Sequence, residues 1–158
     1  MLNKVKIFSN SSYDDNRGSY WTVWEKKRFK KLDFNHDKFS YSKKNVFRGL
    51  HGDKKSYKLV SCVYGKVFFV VVDFNKKSKT YLKHLQFILS KENKSQILIP
   101  PNFLNGYYCM SKDCLFHYKW SYRGKYPDVK DQFSLNWRSK DLKIKWPFKN
   151  PITSDRDK

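Results

Sequence analysis

The chain has 158 residues, of which 39% are hydrophobic and 18% are aromatic, so residues 1–158 can bury a core as a single domain and are not expected to be disordered. The 34 Lys and Arg residues outnumber the 14 Asp and Glu residues, which gives a formal net charge of +20 at pH 7. This charge favours a polyanionic partner: nucleic acid, an anionic membrane or a phosphorylated small molecule. The lysines occur in dispersed pairs, so most of them are expected to form a solvated surface.

The N-terminus contains no apolar run of signal-peptide length, and no stretch approaches the length of a transmembrane span. A cytoplasmic protein without a membrane partner is therefore expected. The three cysteines, Cys62, Cys109 and Cys114, form no CxxC pair and no disulfide framework. We expect all three thiols to be reduced and buried.

Apolar residues recur with a period of two rather than 3.6 along most of the chain, which is typical of strands. Turn signals rich in Gly, Pro and Asn separate these runs. The predicted strands are Tyr20 to Trp24, Lys58 to Tyr64, Lys66 to Asp73, His84 to Leu89, Gln96 to Ile99, Gly106 to Met110 and Leu115 to Trp120. The pattern predicts an all-β fold, an antiparallel sandwich or barrel, with an irregular C-terminal tail anchored by Trp137 and Trp146.

The segment Arg48 to His51 ends seven residues before Lys58 and places one histidine between two cations. A neutral imidazole beside fixed positive charge is suited to removing a proton from a carbon next to a carbonyl, because the cations stabilise the negative charge that forms. Alternate residues of a strand share a face, so Lys58 points the same way as Val60 and Cys62. An anionic ligand would explain a lysine that points inward among apolar neighbours, whereas the high lysine content of the chain favours a surface position for any single lysine. The pattern therefore predicts carbanion chemistry on an anionic substrate.

Many short motifs follow one another in a characteristic order. They are Arg48-Gly49-Leu50-His51, Lys58-Leu59-Val60, Gly65-Lys66-Val67, Asp73, Ser78-Lys79-Thr80, Leu89 to Asn93, Ile99 to Phe103, Tyr118-Lys119, Trp146-Pro147 and Pro151 to Asp157. In this order they resemble the dTDP-4-dehydrorhamnose 3,5-epimerase family, from Asp15 almost to the C-terminus. The resemblance implies a cupin-type jelly-roll barrel, a homodimer, and no metal or organic cofactor. It also implies epimerisation of the carbons on either side of a 4-keto group in a nucleotide-diphosphate sugar.

The resemblance implies catalytic roles for four residues. His51 resembles the family's general base, and Asp157 stands where the family places the carboxylate that orients this base. Such a pairing sets the imidazole tautomer and stabilises the imidazolium. Lys58 resembles the lysine near the sugar O4, where it would stabilise an enolate. Tyr118 stands at the position of the catalytic acid, which would return a proton from the opposite face of the ring.

Substrate-binding roles are also implied. Arg17 resembles a residue that reaches the diphosphate, a task that suits the bidentate geometry of a guanidinium group. Arg48 resembles a residue of the same site. Tyr126 follows the last predicted strand together with Trp120 and Tyr122, and one of these rings is expected to stack on the nucleotide base.

Several residues depart from the family pattern. Asn105 replaces a second active-site histidine, and Phe69 replaces an Asp on the strand after the Gly turn. Both changes remove charge from one pocket, so Asn105 is expected to face a sugar other than the family's usual deoxyhexose. Gly52-Asp53 replaces a usual Tyr-Gln pair, and the loop to Lys58 is three residues shorter. A noncatalytic cupin stays open on these grounds.

The residues leave the exact reaction open. The nucleotide can be dTDP, GDP or CDP, the sugar a hexose or a heptose, and the inverted centre C3, C5 or both. A C3-only epimerase or a 3,4-ketoisomerase on the same scaffold is the nearest alternative. Synthesis of a capsule or lipopolysaccharide precursor is the expected context.

Two alternatives from other classes are disfavoured. A nucleic-acid-binding β-barrel would use the +20 charge and the aromatic residues. Both features are dispersed and no binding motif is present, so no nucleic-acid partner is expected. A metal cupin needs about three convergent imidazoles with a carboxylate, and the four histidines show no HxH spacing. We therefore predict no metal site.

Overall fold

The computed structural model of the chain describes residues 1–157 and consists of strands joined by loops and short 3₁₀ helices. The strands are β1 (Lys6–Phe8), β2 (Ser12–Asp15), β3 (Gly18–Trp21), β4 (Phe34–Lys43), β5 (Phe47–Gly52), β6 (Tyr57–Tyr64), β7 (Lys66–Asp73), β8 (His84–Ser90), β9 (Gln96–Ile99), β10 (Phe103–Cys109), β11 (Asp113–Ser121) and β12 (Phe133–Ser134). The 3₁₀ helices are Leu2–Lys4, Lys26–Phe29, Val129–Asp131, Lys140–Leu142 and Asp155–Asp157. The all-β prediction is confirmed.

Two five-stranded antiparallel sheets form the body of the fold. The first sheet has the strand order β1-β9-β6-β11-β4, and the second has the order β12-β5-β10-β7-β8. Strands β2 and β3 form a separate hairpin. From β4 to β7 each new strand joins the other sheet, and the chain crosses again between β8 and β11. This repeated crossing is the connectivity of a jelly roll, as predicted.

Strand β7 carries the core because both of its faces are buried. Val67, Phe69 and Val71 point between the two sheets. Phe68 and Val70 point to the outer face of the second sheet, where the C-terminal tail covers them. The residues of the tail that pack on this face are Leu135, Trp137, Leu142, Ile144, Trp146 and Phe148. The predicted return of the tail, with its two tryptophans as anchors, is confirmed.

The bounds of β7 and β9 agree with the sequence prediction, whereas other elements differ. Strand β3 ends at Trp21 instead of Trp24, and β10 begins at Phe103 instead of Gly106. Strands β4 and β5 were not predicted. β4 lies at the edge of its sheet and is mostly exposed, so its residues are largely polar. β5 contains Arg48, Gly49 and His51, which interrupt the apolar alternation.

The prediction for the three cysteines is confirmed, since Cys62, Cys109 and Cys114 are all free and buried. Burial raises the pKa of the Cys62 thiol to about 12 and also raises that of Cys114. These thiols are therefore protonated and unreactive at neutral pH. No helix among residues 1–157 has the length and apolar character needed to cross a bilayer.

Phe69 tests the packing between the sheets. Its ring is fully buried, and its centroid lies 5.5 Å from that of Phe116 on the opposite sheet. Phe69→Ala leaves a cavity and is expected to lower the free energy of unfolding by about 3–5 kcal/mol, measured by urea denaturation. Ile88→Thr, at a 44% exposed position of β8, serves as the control and should change it by less than about 0.5 kcal/mol. Equal losses in the two variants would contradict this description of the core.

Candidate active site

A cavity of about 390 Å³ opens between the two sheets and the C-terminal segment. Seven of the eight residues that the sequence singled out line its wall. They are Arg48, His51, Lys58, Asn105, Tyr118, Tyr126 and Asp157. The fold therefore gathers into one place residues that are up to 109 positions apart, from Arg48 to Asp157.

The two sheets supply different chemical groups to this cavity. His51 on β5 pairs with Asn105 on β10, and both belong to the second sheet. Lys58 on β6 pairs with Trp120 on β11, two residues beyond Tyr118, and these belong to the first sheet. A ligand in the cavity thus meets the imidazole on one wall and the ammonium and the phenol on the other.

His51 and Asp157 form a hydrogen-bonded pair. Nε2 of His51 lies 2.5 Å from Oδ1 of Asp157, whose residue is only 6% exposed. The Ser154 hydroxyl donates to Oδ2 at 2.8 Å, and the backbone N–H of Gly49 lies 3.4 Å from Oδ1. Burial alone would raise the pKa of Asp157, but the hydrogen bonds from His51 and Ser154 outweigh it and lower this pKa. Asp157 is therefore a carboxylate at neutral pH.

The other nitrogen of His51 is also engaged. Nδ1 lies 2.8 Å from the hydroxyl of Ser134 on β12. Because the Asp157 carboxylate accepts a hydrogen bond from Nε2–H, the lone pair of the neutral ring resides on Nδ1 and accepts from Ser134. Nδ1 can take a proton once this hydroxyl turns away.

Lys58 is a buried cation, with 4% of the residue exposed. Its Nζ lies 3.2 Å from Oδ2 of Asp53 and 4.4 Å from the centroid of the Trp120 ring. Burial lowers the pKa of Lys58, while the neighbouring Asp53 raises it. A positive charge held in this way can stabilise an oxyanion that develops nearby.

Tyr118 lies on β11 with its ring edge-to-face against Phe116, at a centroid distance of 4.9 Å. Burial, with a further contribution from the nearby Tyr107, raises the pKa of Tyr118 well above its usual value. The phenol therefore keeps its proton across the physiological pH range and faces the cavity as a donor.

Arg48 is held by a chain of hydroxyl groups. Its Nε donates to Ser42 at 2.9 Å, and Ser42 lies 2.8 Å from the hydroxyl of Tyr107. Tyr107 in turn donates to Ser40 at 2.9 Å. Nη2 of Arg48 also donates to the backbone carbonyl of Tyr41 at 3.3 Å, and together these contacts fix the guanidinium group at the cavity wall.

The structure places the two uncharged replacements in different surroundings. Asn105 is 7% exposed, and its side-chain amide donates to the backbone carbonyl of His51 at 2.9 Å. Phe69 packs between Phe87 and Phe116 in the core. Phe69 does not line the cavity, so the expectation that both replacements remove charge from one pocket holds for Asn105 but is wrong for Phe69.

Tyr126 belongs to an aromatic group at one end of the cavity. Its ring stacks on His36 with centroids 4.8 Å apart and lies 5.3 Å from that of Trp120. Nζ of Lys38 is 4.2 Å from the centroid of the same ring and donates to the Tyr126 hydroxyl. The cluster offers flat surfaces beside a cation, which suits a nucleotide.

Arg17 does not reach this cavity within the described chain. It lies at the tip of the hairpin of β2 and β3, where its side chain is 83% exposed. Its guanidinium group pairs with Asp15 at 2.5 Å. The predicted contact of Arg17 with a diphosphate is therefore not made from the same chain.

The histidines outside the cavity centre have other partners. His117 pairs with Asp37 at 2.8 Å, His84 contacts Gln86, and His36 contacts aromatic residues. Within residues 1–157, no three His, Cys, Asp or Glu side chains come close enough together to hold a metal ion. The absence of a metal from the reaction stays a prediction.

Several residues of the site were missed by sequence reasoning. They are Lys38, Ser42, Asp53 as a partner of Lys58, Tyr107, Gln132, Ser134 and Arg156. Most are small or common polar residues whose partners are distant in sequence, so nothing in the sequence marks them. Asp53 was visible only as part of the Gly52-Asp53 departure from the family pattern.

Comparisons with known proteins identify the family of the chain. The family model for dTDP-4-dehydrorhamnose 3,5-epimerase matches residues 1–158. The dTDP-4-dehydrorhamnose 3,5-epimerase of Shigella flexneri is 38% identical over 161 residues, which cover 97% of this chain and 87% of that protein.

Solved structures show the same fold. The dTDP-6-deoxy-D-glucose-3,5-epimerase of Legionella pneumophila, in complex with dTDP-4-keto-L-rhamnose, has a TM-score of 0.90 at 34% identity and covers 98% of this chain and 85% of its own. The dTDP-4-dehydrorhamnose 3,5-epimerase of Bacillus anthracis, with TDP and PPi bound, has a TM-score of 0.91 at 29% identity, with coverages of 99% and 92%. The chain therefore belongs to the dTDP-4-dehydrorhamnose 3,5-epimerase family and is an isomerase with a cupin-type jelly-roll fold.

Proposed function

We propose that the protein epimerises a dTDP-linked 4-keto-6-deoxy sugar at C3 and C5, by proton transfer through an enolate. One observation carries this proposal: a histidine–aspartate pair and a protonated phenol lie on opposite walls of a single cavity. Inversion of a carbon needs a base on one face of the sugar ring and an acid on the other. The family supports dTDP as the nucleotide.

In the first step His51 removes the proton from the carbon next to the 4-keto group. The electron pair of the broken C–H bond moves into the ring, and the keto oxygen becomes an enolate oxyanion. The Lys58 ammonium stabilises this oxyanion, and Asp157 stabilises the imidazolium. The Lys58 ammonium and the His51 imidazolium thus gain favourable interactions as charge develops, which lowers the barrier to proton removal.

In the second step the Tyr118 phenol delivers a proton to the same carbon from the opposite face. The enolate returns to the ketone with inverted configuration, leaving a phenolate at Tyr118 and an imidazolium at His51. Solvent then takes the proton from His51, and Tyr118 regains one. After this reset, the same two residues can act on the second carbon. The base His51 is therefore needed for exchange of the sugar proton with solvent, whereas the acid Tyr118 is needed for inversion of the carbon.

The identity of the sugar is a second and more specific part of the proposal. Asn105 is an uncharged residue of the cavity wall and pairs with the strand position of His51, which supports a substrate that differs from the family's usual deoxyhexose. A product for a capsule or lipopolysaccharide is the proposed context. GDP or CDP sugars, a heptose ring, inversion at C3 alone and 3,4-ketoisomerisation remain outcomes of the test below.

We also propose a homodimer in which Arg17 serves the cavity of the neighbouring copy. The hairpin that carries Arg17 exposes Tyr13 and Tyr20, which are 62% and 71% exposed. Edge strand β4 exposes Phe39 and Tyr41, at 62% and 56%, and Phe39 also lines the cavity. Exposed aromatic rings of this size, on the hairpin and on the edge strand, favour association with a second copy. Arg17 of the partner subunit would then supply the guanidinium group for the diphosphate.

The reaction can be tested by incubating the protein with a dTDP-4-keto-6-deoxyhexose in deuterated water and following the sugar by NMR. Deuterium at both C3 and C5 is the expected result. Deuterium at one carbon would instead support a monoepimerase, and a moved carbonyl would support a ketoisomerase. Parallel reactions with GDP and CDP sugars test the nucleotide. The proposal is wrong if none of the 4-keto sugar nucleotides takes up deuterium.

The roles of His51 and Tyr118 predict two different defects. His51→Asn should reduce exchange at both carbons by at least about 100-fold, because the base is lost. Tyr118→Phe should retain most of the exchange and lose inversion, because the phenol delivers the proton to the far face. The control Tyr64→Phe removes a hydroxyl from a 52% exposed ring and should match the unmodified protein. Inversion at the normal rate in folded Tyr118→Phe would rule out this acid.

The position of Arg17 predicts complementation between copies. Arg17→Ala should raise KM for the sugar nucleotide and leave the melting temperature unchanged, since the side chain is exposed. Mixing Arg17→Ala with His51→Asn chains should restore about one quarter of the activity, because half of the randomly mixed dimers contain one intact site. If Arg17 acted within its own chain, the mixture would show no recovery.

A further inference from the structure

Asp53 is a buried carboxylate in the loop between β5 and β6, and the proposed mechanism does not use it. The residue is 2% exposed. Its Oδ1 accepts hydrogen bonds from the backbone N–H groups of Lys55 and Ser56, at 2.8 and 2.7 Å. Its Oδ2 makes no conventional hydrogen bond within residues 1–157, but lies 3.2 Å from Nζ of Lys58. One oxygen thus folds the loop, and the other faces a cation.

Lys58 depends on this carboxylate for its charge balance. The pairing strands place Ile99 of β9 and Trp120 of β11 beside it, and neither carries a charge. Arg156, from the C-terminal 3₁₀ helix, adds positive charge from another side. Among residues 1–157, Asp53 is the acid that forms an ion pair with Lys58. A buried cation without such a partner loses its hydration with little compensation.

We propose that Asp53 is a positioning residue that holds the Lys58 ammonium at the cavity wall. This inference rests on the proposed function, in which Lys58 stabilises the enolate. Two contacts define the position of Nζ: the Asp53 carboxylate at 3.2 Å and the face of the Trp120 ring at 4.4 Å. The two backbone hydrogen bonds to Oδ1 restrain the carboxylate itself. Asp53 therefore acts through Lys58 and does not touch the substrate.

The same contact links the two halves of the site. Asp53 follows His51 by two residues and precedes Lys58 by five, and these two residues belong to different sheets. The loop between them is therefore the direct covalent connection between the base and the ammonium. Because Asp53 folds this loop and also pairs with Lys58, the loop conformation and the position of Nζ are coupled.

The carboxylate also favours the protonated form of Lys58. Burial lowers the pKa of Lys58, Arg156 lowers it further, and Asp53 opposes both. Removing the negative charge of Asp53 should thus lower the pKa of Lys58 further. Lys58 would then lose its proton at a lower pH, and the alkaline limb of the activity profile would move in the acid direction.

The test uses Asp53→Asn, which keeps an oxygen for the loop hydrogen bonds and removes the charge. The alkaline limb of the pH profile of kcat should move to a lower pH than in the unmodified protein, with activity recovering as the pH is lowered. Lys58 is also titrated directly by NMR on ε-¹³C-labelled lysine, with its signal assigned by its absence in Lys58→Gln. This measurement needs no substrate, so it can fail or succeed independently of the proposed reaction.

Asp73→Asn is the matched control. Asp73 is also fully buried and also accepts a hydrogen bond from the backbone N–H two residues ahead, but it lies outside the cavity. Its pH profile should coincide with that of the unmodified protein. A second variant, Asp53→Gln, covers the case in which Asp53→Asn does not fold. An unchanged Lys58 titration and an unchanged pH profile in either folded Asp53 variant would overturn the inference.

Discussion

The hydrogen bond between His51 and Asp157 depends on the C-terminal segment lying against strand β5. Ile152 forms a parallel bridge with Val46, and its backbone N–H and C=O bond to Asn45 and Phe47, at 2.8 and 2.9 Å. These bonds place the segment alongside the strand that carries the base. The position of the Asp157 carboxylate is thus set by main-chain hydrogen bonds, and the proposed catalytic arrangement requires that the segment around Ile152 stay paired beside β5.

Electrostatics distinguishes the cavity from the rest of a basic surface. The cations on its wall are Lys38, Arg48, Lys58 and Arg156. The acids on the same wall are Asp128, which caps a 3₁₀ helix, and Asp157, which is paired with His51. The local balance is therefore positive, and low-dielectric walls strengthen its field. This positive balance supports the proposed binding of a diphosphate and the proposed stabilisation of negative charge on the sugar.

The sequence predicted the strands of the core because these have local signals, whereas Tyr118 and Asp157 were singled out only through the family resemblance. β7 has a continuous apolar run, and the segment around His51 is rich in chemically distinct residues. β4 was missed because an edge strand needs few apolar residues, and Ser134 was missed because its contact spans 83 positions. The place of Arg17 on an exposed hairpin depends on tertiary packing, which no local pattern encodes. Charge balance around Lys58 likewise emerged only from the fold.

The central position of β11 has a consequence for the order in which the protein can fold. β11 pairs with β4 on one side and β6 on the other, although both of those strands precede it by about 50 residues or more in the chain. During synthesis, β4 and β6 are made before β11, so the position between them in the sheet is unfilled at first. Each of the two strands then presents an unpaired edge. Unpaired edges of this kind recruit strands from other chains. Efficient production of the protein consequently depends on how quickly β11 emerges from the ribosome and inserts.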